Sequence, residues 1–173
     1  NTHCRNAYTW NTSTGQERPL RFYDDELEVY LATIDGRAID AWHRVRDTWS
    51  TTERLRFATW FDTIENLDLL VMIIGDANLY EWGGGAAVVS SITGTTVTKQ
   101  GTTTFAQNRF YTLRNLTFIN TRTGTEYTYT GGAATTTLTG IADTAGLVLN
   151  DVLVQKVVTR SNIPAASHTN DII

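Results

Sequence analysis

The chain has a single cysteine, Cys4, in 173 residues. No disulfide can form within it, so the fold must stand on packing and hydrogen bonds. It lacks an excess of positive charge as well. The formal balance is −4, with no basic stripe of the kind a nucleic-acid surface needs. No apolar run reaches the roughly 18 residues of a membrane helix, and no signal-peptide pattern opens the sequence. Charged side chains become sparse after Gly83.

Chemical signatures are missing too. No G-x-S-x-G elbow occurs. His3, Cys4, His43 and His168 show no zinc-site spacing. Gly83-Gly84-Gly85 is followed by neither Lys-Ser nor Lys-Thr, so it reads as a turn and not a phosphate loop. No enzyme, cofactor or metal is predicted, and no carboxylate pair stands out for glycoside hydrolysis.

What the chain does have is strand. Its strongest apolar run is Leu69 to Ile74, within Phe57 to Val89. Hydrophobicity alone would allow a buried helix over Leu67 to Ile74. The β-branched content and the turn residues on both sides favour a strand. Gly75-Asp76-Ala77-Asn78 then turns, Leu79 to Trp82 resumes, and the three glycines turn again.

Leu27 to Trp42 aligns with Leu67 to Trp82 without a gap, at an offset of 40 residues. Ile34 falls on Ile74, Ile39 on Leu79, and Trp42 on Trp82. The first copy centres on Asp35-Gly36, a two-residue hairpin signal. A hairpin repeated every 40 or so residues, closed by an aromatic, predicts propeller-like repeats. Two blades leave strand edges open, to be covered by further polypeptide or by other chains. The ends of the chain read as continuing into more strands.

Threonine fills 18 of the 47 positions from Thr93 to Thr139. Its branched Cβ suits a pleated sheet. A boundary near Ile92 is therefore expected. The division is an N-terminal arm over 1–18, two propeller-like repeats over 19–92, a Thr-rich β module over 93–160 and an exit segment over 161–173. The class is all-β, with antiparallel hairpins and little helix. One helical turn is expected at Phe105 to Phe110, capped by Thr103 or Thr104. Leu116–Asn120, Glu126–Thr130, Thr135–Thr139 and Val152–Thr159 read as strands, with limited core of their own.

Asp24, Asp25, Glu26 and Glu28 read as a charged strand end, not a cation site. Asp35, Asp40, Asp76 and Asp151 fall at turns, where Asp bonds its own backbone. Trp42, Trp82, Trp60 and Tyr80 are the candidate packing or ligand-stacking aromatics. Trp42 and Trp82 are expected in the core; stacking on sugars is the other use of such rings. Arg44, Arg46, Arg54 and Arg56 alternate in two pairs and are candidate interface charges.

The Leu79–Gly84 hairpin, the segments TGTTVTKQGTTTFAQ and GTEYTYTGGAATTTLTGI, and the exit VVTRSNIPA…NDII resemble structural proteins of tailed-bacteriophage virions. The meant proteins are large tail or neck subunits with propeller-like repeats and inserted β modules. The resemblance spans Leu67 to Ile173 and implies work through contacts and not turnover. It implies a virion location, after assembly in host cytoplasm, with copies of the chain and neighbouring virion proteins as partners. A carbohydrate- or receptor-binding module of a phage tail, with a host glycan as ligand, is the alternative.

Overall fold

The computed structural model describes residues 4–23, 25–46, 55–74 and 78–159. The chain is all-β, and no helix occurs among these residues. Strands β1 (Cys4–Asn11), β2 (Glu17–Tyr23), β3 (Glu26–Ile34) and β4 (Arg37–Arg46) form an antiparallel meander in that order. In β3, Leu27, Val29 and Leu31 are buried while Glu26, Glu28 and Tyr30 are less so, the period-two pattern of a sheet covered on one face. Asp35 and Gly36 have φ of 51° and 79°, which makes the expected two-residue turn.

Within the N-terminal arm expected over 1–18, the described residues from Cys4 form β1, a turn and the start of β2. Tyr8 and Trp10 point to one side of β1, and Trp10 is buried in the core. Two inward aromatics pin a strand whose other positions are mostly polar.

A second sheet holds β5 (Leu55–Asp62), β6 (Leu67–Ile74), β7 (Asn78–Trp82) and β14 (Val158–Thr159), in the order β14-β7-β6-β5. The aligned hairpins are thus β3–β4 and β6–β7, and their pairing matches: Trp42 opposes Tyr30, and Trp82 opposes Leu70. The faces are inverted, however. Leu27, Val29 and Leu31 enter the core from β3, whereas Leu70 and Met72 enter it from β6. Leu69 is also fully buried, on the other face of β6, so the continuous apolar run reflects cover on both sides.

The third sheet has six strands, in the order β11-β10-β13-β8-β9-β12. They are β8 (Ala86–Thr93), β9 (Thr96–Lys99), β10 (Thr117–Asn120), β11 (Glu126–Thr128), β12 (Thr137–Leu138) and β13 (Val152–Gln155). The boundary expected near Ile92 therefore falls inside β8. The chain changes sheet at Gly83–Gly85 instead. The expected strand Val152–Thr159 divides into β13 and β14, which lie in different sheets. The Thr-rich part is therefore not discrete: β14 pairs with β7.

The paired strands β8 and β13 separate two cores. Ala86, Val88 and Val154 face the first, with Trp10, Leu27, Leu70 and Trp82. Ala87, Val89 and Leu153 face the second, with Phe105, Phe118 and Tyr129. The Thr-rich part thus has a fuller core than expected. Phe105 to Phe110 forms hydrogen-bonded turns and not a helix. Its start has a reciprocal cap: Gln107 N–H donates to Thr104 Oγ1 at 3.0 Å, and Thr104 N–H donates to Gln107 Oε1 at 2.8 Å.

The long edge strands β1 and β5 lie against one another. Tyr8 stacks on Phe57 with centroids 4.6 Å apart, and Asn6 Nδ2 donates to Leu55 O at 3.0 Å. β1 and β5 do not pair with one another, so each remains the edge strand of its own sheet.

Candidate functional site

Trp82 has no exposed surface; its Nε1 donates to Gln155 O at 2.7 Å, and its ring lies 6.1 Å from that of Trp10. Trp42, placed in the core by the alignment, is instead 36 % exposed on the outer face of the meander. The inverted face is the reason. Arg21 lies 4.3 Å over its ring, and Tyr30 sits 5.5 Å away at 55°. The two rings are not coplanar. Tyr80 packs against the first core under Arg46, 4.4 Å from the ring centroid. Trp60 is half-buried opposite Leu69.

Arg44 and Arg46 do not share a face. A register shift sets Arg44 opposite Glu28 and Arg46 opposite the buried Leu27. Arg44 accordingly pairs with Glu26 at 3.1 Å, while Arg46 covers Tyr80. Arg56 is exposed, and Arg54 lies outside the described residues. Of the acidic cluster, Glu26 and Glu28 are paired within the sheet, Glu28 with Arg21 at 2.5 Å.

Two buried ion pairs tie the sheets together. Arg109 Nη2 is 2.9 Å from Asp68 Oδ1, and its Nε donates to Gly83 O at 2.6 Å. The guanidinium lies 5.0 Å from the Trp10 ring centroid. Gly84, at φ +80°, would place a Cβ 2.8 Å from Trp10, so the glycine turn exists to admit these side chains. Burial pushes the Asp68 carboxyl up, but Ser13 N–H, Ser13 Oγ–H and Arg109 outweigh it and hold it below its ordinary value. Burial, with Arg109 nearby, lowers the Arg18 pKa to about 10.

The second pair is Lys99 Nζ with Asp35 Oδ2 at 2.8 Å. Thr103 Oγ1 and Asn108 Nδ2 also donate to Asp35. Asp35 was expected to bond its own turn; it bonds the third sheet instead. Beside it a cleft of about 450 Å³ is lined by Gln16, Arg18, Asp35, Gln107 and Asn108 among others. Arg18 Nη2 donates to Gln16 Oε1, Asn108 Nδ2 to Asp35, and Thr104 N–H to Gln107. Its polar groups brace one another.

Glu65, in the β5–β6 turn, braces a loop. Its carboxylate accepts the N–H groups of Thr112, Leu113 and Arg114 at 2.7, 3.1 and 2.9 Å. The loop is thereby held against the turn with apolar side chains outward. Leu113 is 67 % exposed, Ile64 64 % and Phe61 52 %. Val148 and Leu149 are exposed on a different loop. Sequence reasoning missed this patch.

Among the described residues, no three His, Cys, Asp or Glu side chains gather to hold a metal ion. No family model, curated protein or solved structure matches the chain.

Proposed function

We propose that the chain is a structural component of a bacteriophage virion, a tail or neck subunit that works through protein contacts in a symmetric assembly. The virion setting rests on the resemblance of its hairpins and Thr-rich segments. The contact-making role rests on one observation: Leu113 stands exposed on a loop that Glu65 fixes against the β5–β6 turn, where Ile64 is also exposed, and Phe61 is exposed on the adjoining strand β5. Apolar side chains held outward on a rigid support mark contact surfaces. Antibodies raised against the chain should decorate intact tailed particles in electron micrographs at one site per tail. Particles left bare, with the antigen in the soluble fraction, would refute the reading.

A second reading is favoured by one exposed ring, Trp42, flanked by Tyr30 and Asp40 on the outer face. Aromatic faces beside hydroxyl and carboxylate groups suit a glycan. Saturable binding to a glycan array, lost in Trp42→Ala, would support it over the first.

A further inference from the structure

Strand β11 is the outermost strand of the six-stranded sheet. It pairs with β10 so that Phe118 opposes Tyr127. Tyr129 N–H donates to Leu116 O, and Asn120 N–H donates to Thr125 O. The ladder bonds therefore fall on Thr125, Tyr127 and Tyr129. In an antiparallel pair the alternate residues direct their N–H and C=O away from the partner strand. Glu126 and Thr128 are those residues, and their main-chain groups face out of the sheet edge.

A groove of about 470 Å³ runs along that edge. One wall is β11 and the other is the 141–146 segment; no residue of β10 lines it. Tyr127 and Ile141 are its buried apolar members, while Glu126 and Asp143 are exposed. Glu126 is paired with Lys156 at 2.5 Å. Asp143 has no cationic partner among the described residues; its Oδ1 accepts Ala145 N–H at 2.8 Å. The groove therefore offers a row of unpaired strand groups, an apolar floor and one uncompensated negative charge.

We propose that this edge is a strand-addition site for an extended segment of a neighbouring polypeptide carrying a lysine or arginine. The added strand pairs with Glu126 and Thr128, as an edge template does for any extended chain. Its alternate apolar side chains rest on Tyr127 and Ile141, and its cation meets Asp143. Three residues of β11 give a span of roughly 10 Å, enough for a short pairing but not for a stable sheet. The site thus serves as one contact within a larger interface. The inference rests on the assembly reading above and names the partner's chemistry.

The test uses the 173-residue chain and a fluorescein-labelled Lys-Thr-Val-Thr-Val peptide. Saturable binding is expected, with amide exchange at Glu126 and Thr128 slowed about tenfold. Thr128→Pro removes an outward N–H without touching the ladder to β10 and should abolish binding. The same peptide N-methylated on alternate amides should also fail, which keeps the test independent of how the proline variant folds. Asp143→Asn, or a peptide led by Glu in place of Lys, should weaken binding several-fold. Absence of binding at millimolar peptide would overturn the proposal, as would N-methylated peptide binding equally well. A chain that oligomerises without binding peptide defeats this inference alone; one that binds peptide yet never associates defeats the assembly reading alone.

Discussion

Lys99 Nζ sits 2.8 Å from Asp35 Oδ2, and both side chains are almost wholly withdrawn from water. Sixty-four positions separate them in sequence, and they join the β3–β4 turn to the third sheet. Breaking a buried pair leaves one charge without a partner, which costs roughly 3–5 kcal/mol. Asp35→Asn isolates that effect, because Asn-Gly also favours the same turn. We expect a loss of about 3 kcal/mol by urea unfolding for Asp35→Asn, and a similar loss for Lys99→Met. The double variant should lose less than the sum. Additive losses would show that the pair is not coupled.

The two aligned tryptophans should behave differently. Trp82→Ala removes a fully buried ring and its hydrogen bond and should cost about 3–5 kcal/mol. Trp42→Ala removes a partly exposed ring and its contact with Arg21, at about 1 kcal/mol. Equal losses in denaturant melts would contradict the inverted faces.

Gly84→Ala combines positive φ with a Cβ against Trp10 and should cost roughly 3 kcal/mol. Gly15 shares the positive φ but faces open space, so Gly15→Ala should cost only about 1 kcal/mol. Thermal melts of the two variants give the comparison. A Gly84→Ala protein as stable as Gly15→Ala would mean that Trp10 does not need the glycine turn.

His43 should make stability sensitive to mild acid. Thr121 Oγ1 donates its one proton to Val152 O at 3.1 Å, so it accepts from His43 Nδ1–H, also at 3.1 Å. His43 Nε2 is then a bare, buried acceptor without a partner among the described residues. Burial lowers the His43 pKa, although Glu28 pulls the other way. With the folded value depressed, the contribution is fully present above the ordinary value of 6.5 and is lost as pH falls through it towards the folded value. Asp68 and Asp151 are also lowered, so their share goes only below about 3.8. Tm should therefore fall between about pH 7 and pH 5, and His43→Gln should flatten that fall. Parallel curves for the two proteins would remove His43 from the account.

The legible parts of the fold were local ones. The β6 run, the Asp35-Gly36 turn and the Glu126–Thr128 strand follow from patterns within a few residues. The 40-residue offset matched two real hairpins, in which Trp42 opposes Tyr30 and Trp82 opposes Leu70 at equivalent positions. It could not say which face met the core, since alternation fixes two faces and not their direction. β1 was hidden because most of its positions are polar and only Tyr8 and Trp10 reach inward. The partners of Asp35, Asp68 and Glu65 are 30 or more residues away, beyond what spacing shows. The exposed patch was equally out of reach, because Glu65, next to Ile64, takes the Leu113 N–H from 48 positions away.

Light scattering on the isolated 173-residue chain tests the central claim, that this molecule works by associating through Phe61, Ile64 and Leu113. The account predicts a mass of two or more times 19.3 kDa for the wild type and 19.3 kDa itself for Leu113→Ser, with melting unchanged. A monodisperse 19.3 kDa wild-type species at every concentration would contradict it.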